Sequence, residues 1–548
     1  MAPSVARATF AGTHRAPAHG MTARAESFAS DSVDGHPPQL GATPTPRGVH
    51  FALFATTATS ASVRLFEADM RSVRATVPLR ATAPHVFEGE VEGIGAGALY
   101  KFVLDGRELP DPYARFLPDG VHGVARVEPR HVARSSFEAP PLHRWVIYEL
   151  HVGTFTPEGT YRAAAAKVDY LADLGINVIE LMPVASFAGA RGWGYDGVAV
   201  YAPFAGYGEP DDLRALVEAA HARNIVVLLD VVYNHLGPSG NYLCAYAPDY
   251  FTAKHQTAWG DAPNYADIHM RRLVIENVRY WFEQFDFDGL RLDATHGIVD
   301  ESVPHILAEL ARVARSCGRR RILIAEDERN LPALVEEDGL DAIWADDFHH
   351  ALHVTLTGER DGYYAAYEGG AAELARVIEK GWLYEGQVYA PTEEPRGRRA
   401  TLSHEHLVYC IQNHDQVGNR ALGNRLTEDV SLEAFMGASL LLLFLPALPL
   451  IFMGQEWAAT TPFIYFTDHE AELGAAVTRG RRDEFKKFRA FHDPTLRERI
   501  PDPQALSTFE RSKLRWSERS SGRHAEVLSL YRKMLHLRAH DAVLSSQG

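Results

Sequence analysis

The 548-residue chain has little cysteine: Cys244, Cys317 and Cys410 stand far apart and form no CxxC pair. That excludes a disulfide framework and a cysteine zinc site, and it fits a reduced, cytoplasmic protein. Basic charge is also short. A net charge of −16 argues against nucleic acid or an anionic membrane surface as the main partner, because both need a basic face. No HExxH occurs, so zinc catalysis is the weaker reading of any histidine-bearing site. The N-terminus has no apolar core of secretory type, and residues 1–37 are read as a flexible tail in which Met21 is a second candidate start. One long uncharged stretch exists, from Ala434 to Gln455, and its length alone could span a bilayer. Pro446 and Pro449 interrupt it, so a buried helix, a turn and a buried strand are expected instead, and no membrane span.

A 46% hydrophobic content supplies a large core and material for two or more domains. Over residues 38–138, short alternating segments such as "VHFALFA", "ASVRLFEA" and "LYKFVLDG" are separated by turn residues. This is the pattern of a small β-sandwich, immunoglobulin-like in type. "EAPPLHR" makes a proline-marked linker. From residue 143 to 548 the pattern changes. Eight apolar runs ("WVIYELHVGTF", "VIELMPV", "IVVLLDVV", "GLRLDAT", "RILIAED", "AIWADD", "LVYCIQNHD" and "LPLIFMGQE") alternate with amphipathic helices such as "RRLVIENVRYWFEQF". Continuous apolar strands interleaved with helices mean a parallel sheet buried on both faces. Eight units predict an α/β fold, a (β/α)8 TIM barrel with long loops. The alternative, a doubly wound open sheet, usually carries a glycine-rich phosphate loop after its first strand, and neither GxGxxG nor GxxxxGK[ST] stands there.

In such a barrel, chemistry gathers at the C-terminal ends of strands. Those ends carry Asp230, Asn234 and His235, then Arg291 and Asp293, then Glu326, then His414 and Asp415. A single polar residue there is commonly a cap or a satisfied core group. Polar residues at four strand ends at once point to a site. In "GLRLDATHG", Arg291 and Asp293 share a strand face. Either they are a structural ion pair, or the arginine keeps a reactive carboxylate charged and aimed. Converging carboxylates with histidines and no metal motif suggest glycoside chemistry, in which one carboxylate attacks and another serves as acid and base. Asp293 suits the first role, and Glu326, ending an apolar strand, is expected to have a raised pKa suited to the second.

The segments "DVVYNH", "GLRLDA", the glutamate of "LIAED" and "NHD" resemble, in order and spacing, the four short motifs of the α-amylase superfamily of glycoside hydrolases. The resemblance implies a retaining double displacement with Asp293 as nucleophile, Glu326 as acid/base and Asp415 stabilising the transition state. It implies that Arg291 positions the nucleophile, that His235 and His414 hydrogen-bond the sugar, and that Tyr195 in "GWGYDG" stacks on it. Asp230 would be a structural support. Further stretches, including "RGWGYDGVAVYAPFAGYG", "DDFHHALHVTLTGERDGYYAAY" and "CIQNHDQVGNR", resemble the malto-oligosyltrehalose trehalohydrolase family within that superfamily. That implies hydrolysis of the α-1,4 bond beside a terminal trehalose unit, no cofactor, and a place after a malto-oligosyltrehalose synthase. The family usually continues into a small C-terminal β-domain beyond the point where "DAVLSSQG" ends this sequence.

Trp193, Trp344, Phe348, Tyr363 and Tyr364 could line sugar subsites or merely fill the barrel's loops. Asp347, Phe348 and His349 are expected to close the leaving-group end of the site. Asp346–Asp347 and His349–His350 are read as hydrogen-bonding residues of the pocket rim and not as a metal site. The stretch 393–406, "EEPRGRRATLSHEH", is expected to be a mobile, non-catalytic loop. Two other functions remain: a glucan branching enzyme, which joins the same two domains and transfers to a glucan instead of water, and a non-catalytic sugar- or partner-binding protein.

Overall fold

A computed structural model describes residues 39–132, 136–487 and 493–545; the tail expected over 1–37 lies outside them. Two antiparallel sheets form the first domain. One joins Gly41–Pro44, Gly48–Phe54, Val86–Glu92 and Arg80–Ala83; the other joins Val73–Pro78, Ala61–Phe66, Leu99–Leu104 and Arg107–Leu109. Alternate residues such as Val49, Phe51, Val63, Leu65 and Phe102 point between the sheets and make one core. This sandwich leans on the barrel through polar and aromatic contacts: the Tyr246 hydroxyl donates to Pro110 O at 2.9 Å, and Phe54 stacks on His269.

All eight apolar runs become barrel strands: β1 (Ile147–Leu150), β2 (Val178–Leu181), β3 (Val226–Val231), β4 (Gly289–Leu292), β5 (Ile322–Glu326), β6 (Ala342–Trp344), β7 (Leu407–Cys410) and β8 (Leu448–Phe452). Each pairs in parallel with the next, and β8 closes on β1. The strands' two-residue period divides their side chains cleanly. Ile147, Val178, Val226, Leu228, Ile322, Ile324, Val408 and Leu450 form the lumen core. Tyr148, Ile179, Val227, Leu229, Leu290, Leu323 and Ile451 face outward to the surrounding helices. One layer further toward the C-terminal ends, the same lumen-facing alternation brings in Glu149, Glu180, Asp230, Arg291 and Glu326, all buried. The lumen therefore changes from apolar to charged along its axis.

The helical pattern in "RRLVIENVRYWFEQF" falls in α1 (Ile268–Phe285), with Val278, Phe282 and Phe285 buried and Ile275 at the edge of the core. The uncharged stretch resolves into α2 (Leu432–Phe444), a turn, and β8. Among the described residues no helix is long and apolar enough to cross a membrane. The 393–406 stretch departs from expectation. Its residues Glu394–Arg396 pair as a strand with Gln387–Tyr389, and Arg396 is buried against Asp347 at 3.1 Å. The stretch was expected to be a mobile loop, whereas the fold pairs part of it as a strand and gives Arg396 a buried partner.

Candidate active site

Arg291 is fully buried at the end of β4. Its Nη1 donates to both oxygens of Asp230 and to Asp293 Oδ1, each at 2.8 Å, and its Nη2 lies 2.8 Å from Glu326 Oε2. The guanidinium plane covers the Trp344 ring at 4.4 Å. Three strands thus converge on one cation, and the register explains it: Asp230 on β3 is the direct neighbour of Arg291 on β4. Asp293 Oδ2 accepts from Asn234 Nδ2 at 2.7 Å, so both of its oxygens are fixed. Immediately after it, Ala294 takes φ +39°, a conformation unfavourable for a residue with a Cβ. That turn aims the Ala294 N–H at Glu326 Oε2, 2.8 Å away.

The neighbouring network is continuous. The His414 Nδ1–H donates to Glu149 Oε1, and the His414 backbone N–H donates to the other oxygen of the same carboxylate at 2.8 Å. Burial opposes a charge on this imidazole, but the Glu149 carboxylate outweighs it and raises the His414 pKa. The ring's Nε2 meets the Tyr195 hydroxyl at 2.8 Å, and that hydroxyl donates to Asp230 Oδ2 at 2.6 Å. Tyr195 stacks on His414, and Trp193 meets the same imidazole edge-on while its Nε1 donates to Ile464 O. His235 stacks on Trp259 with centroids 3.5 Å apart, and burial lowers its pKa. Two glycines make this closeness feasible. A Cβ on Gly194 would lie 2.3 Å from Pro183 O, and one on Gly418 would lie 2.0 Å from the Trp193 ring.

These residues line an open cleft, with Asp293, Glu326 and Asp415 together in it and Trp193, Tyr195, His235, Trp259 and Tyr465 around them. A side pocket continues past Glu326 and Asp415 and is lined by Glu328, Asp346, His350, Tyr363 and Gln416. Among the described residues no group of three or more His, Cys, Asp or Glu side chains is placed to hold a metal ion.

Two expectations are corrected. Glu326 does not have a raised pKa in the open site: burial alone would raise it, but Arg291 holds it well below the usual carboxylate range. Asp347, Phe348 and His349 do not reach the cleft. They sit on α3 (Asp346–Thr357), whose 3.6-residue turn sends only Asp346 and His350 to the side pocket. Asp347 is fully buried with Asn330 Nδ2, the Tyr367 hydroxyl, the Leu383 N–H and Arg396; Phe348 stacks on Tyr409 at 4.5 Å; His349 stacks on His353. Glu149, Glu180 and Trp259 belong to the site and went unread. The first two were signalled by acids inside apolar strand runs; Trp259 had no signal beyond its type.

An eight-stranded parallel barrel with carboxylates gathered about one buried arginine is the frame of the α-amylase class of glycoside hydrolases. Residues 110–267 match the family model for the alpha amylase catalytic domain, and residues 39–114 match that for carbohydrate-binding module 48, the isoamylase N-terminal domain. The chain is 52% identical over 519 residues to the malto-oligosyltrehalose trehalohydrolase of Deinococcus radiodurans, covering 93% of this chain and 84% of that protein. A crystal structure of a Salmonella typhimurium protein described as an alpha amylase superposes with a TM-score of 0.86 at 40% identity, covering 93% of this chain and 87% of that one. A 1,4-alpha-glucan branching enzyme from Streptomyces avermitilis is more distant, at 28% identity over 79% of each chain. The chain belongs to the malto-oligosyltrehalose trehalohydrolase family.

Proposed function

We propose that this chain is a retaining glycosidase that hydrolyses the α-1,4-glucosidic bond next to the terminal trehalose unit of malto-oligosyltrehalose and releases trehalose. The observation that carries the chemistry is the Arg291 guanidinium held between Asp293 and Glu326. Asp293, fixed by Arg291 and Asn234, attacks the anomeric carbon. Its oxygen forms the glycosyl ester while Glu326 gives its proton to the departing glycosidic oxygen. Before substrate binds, Arg291 and the Ala294 N–H hold Glu326 as the carboxylate. Glu326 takes up a proton from solvent as substrate binds, gives it to the departing oxygen, and is the carboxylate again afterwards. Glu326 then takes a proton from the water that opens the ester. Asp415 holds sugar hydroxyls near the reacting carbon, His235 and His414 bond the ring, and Tyr195 and Trp193 supply aromatic wall.

The trehalose unit lies at the leaving side, where Asp346, His350, Tyr363 and Gln416 along the narrow side pocket beyond Glu326 offer polar contacts to its hydroxyls. No cofactor enters any step. Membership in this family favours the reading over a glucan branching enzyme, whose relative is the more distant one. We place the enzyme in the cytoplasm, after a malto-oligosyltrehalose synthase; the three free thiols agree with a reducing compartment. Incubation with maltotriosyl-trehalose tests the function: free trehalose and maltotriose are expected. New α-1,6 branches in amylose would support the branching reaction instead.

A further inference from the structure

Beneath Arg291 the lumen holds a carboxyl group to which the chemistry above assigns no part. Glu180 projects from β2 into the barrel, is 1% exposed, and neither of its oxygens has a hydrogen-bond partner among the described residues. Its register neighbour on β1 is Glu149, whose two oxygens are both taken by His414. On its other side β3 presents Leu228 in register and Asp230 one lumen layer higher. The charged and titratable groups that face it are Glu149 from β1, Asp230 from β3, Arg291 from β4, Glu326 from β5 and the Cys410 thiol from β7. Arg291 is the one cation among those five, and it is already ion-paired with Asp230, Asp293 and Glu326. An ionised Glu180 would be a buried charge beside a like charge with no partner of its own, an expensive state.

We propose that Glu180 is a positioning residue: held as a neutral carboxylic acid under the cleft, it fills the space between Glu149 and Arg291 without adding a fourth carboxylate to compete for the guanidinium. Arg291 then stays aimed at Asp230, Asp293 and Glu326. The inference rests on the roles given above to Asp293 and Glu326. Burial, followed by the Glu149 charge, pushes the Glu180 pKa well above the usual carboxylate range, in the direction the geometry requires. When Glu180 finally ionises at alkaline pH, its new charge draws Arg291 from the two reacting carboxylates, and activity falls.

Neutron diffraction on crystals of the unsubstituted enzyme at neutral pD reads the proton directly. A deuteron on Glu180, with none on Glu149, is expected; a bare Glu180 carboxylate overturns the proposal. Glu180→Gln is a neutral mimic that cannot ionise. The ratio of its kcat/KM on maltotriosyl-trehalose to the parent's is expected to rise about tenfold toward alkaline pH, on the limb where both profiles already fall with Glu326 deprotonation. Superimposable pH profiles overturn the positioning role even if the proton is found. A parent enzyme inactive on this substrate would remove the functional reading, and the neutron map would still decide whether Glu180 is neutral.

Discussion

Arg291 Nη1 stands 2.8 Å from Asp293 Oδ1 while Nη2 stands 2.8 Å from Glu326 Oε2, so a single buried guanidinium spans both carboxylates assigned to bond cleavage. The Arg291–Asp293 pairing visible in "GLRLDATHG" is thus one arm of a larger bridge. An ion pair that served only the core would gain nothing from a third carboxylate facing an open cleft.

Asp293→Asn is expected to abolish turnover and leave the fold intact. The amide oxygen still accepts from Arg291 while the new NH2 faces the Asn234 Nδ2 donor, and the amide cannot form a stable glycosyl ester. Loss of kcat by several orders of magnitude, about 10⁴-fold or more, is the expected scale for a removed nucleophile. Unchanged circular dichroism with activity within tenfold of the parent would contradict the assignment.

The released maltodextrin should appear first as its α-anomer, because two displacements retain configuration. The Asp293 and Glu326 carboxyl groups should lie about 5–5.5 Å apart in a substrate-free crystal structure, too close to admit a water between them. A β-anomer as the first product in a proton NMR time course would contradict this.

The two faces of α3 should respond differently to substitution. Asp346→Asn or His350→Ala, on the pocket face, should lower the kcat/KM ratio of maltotriosyl-trehalose to maltopentaose by tenfold or more, on the order of a lost buried hydrogen bond to substrate. Asp347→Ala removes a fully buried partner of Arg396 and should instead lower unfolding stability by about 3–5 kcal/mol. A specificity change at Asp347 without a stability change would reverse the helix register drawn here.

Acid should loosen the helix–cleft junction. Glu359 bonds His353 at 2.8 Å and Arg420 at 3.0 Å, five residues beyond Asp415. Burial works to raise its pKa, yet the His353 hydrogen bond and the Arg420 charge lower it from 4.5 to about 2. A carboxylate with a depressed folded-state pKa contributes stability above its unfolded pKa and loses it as pH falls through the folded value. On the order of 3 kcal/mol should therefore disappear between about pH 4.5 and pH 2. Glu359→Gln should flatten that part of the stability–pH curve in chemical denaturation; an unaltered curve would contradict it.

How much of this was legible in the sequence follows from periodicity. The eight barrel strands are runs of apolar residues long enough to be buried on both faces, and each was readable. The strand-end carboxylates were readable because Asp293, Glu326 and Asp415 fall at the same end of different strands. The rim was not. In "DDFHH" five polar or aromatic residues stand in a row, and composition says nothing about which face of the helix meets the cleft. Only the angle of α3 decides that Asp346 and His350 do and Asp347, Phe348 and His349 do not. The acidity of Glu326 was misjudged because its apolar strand was visible while the reach of Arg291 from the adjacent strand was not. Glu149 and Glu180 were visible as acids in apolar runs, but their meaning depends on lying side by side across β1 and β2.

The most direct test is a competition in which maltotriosyl-trehalose and maltopentaose, at equal concentration, are given to the enzyme and the products resolved over time. Free trehalose and maltotriose should appear first, with maltopentaose consumed more slowly by a factor on the order of 10² or more in kcat/KM. Equal consumption of both substrates, or release of glucose and maltose without trehalose, would contradict the assignment of the side pocket and the function built on it.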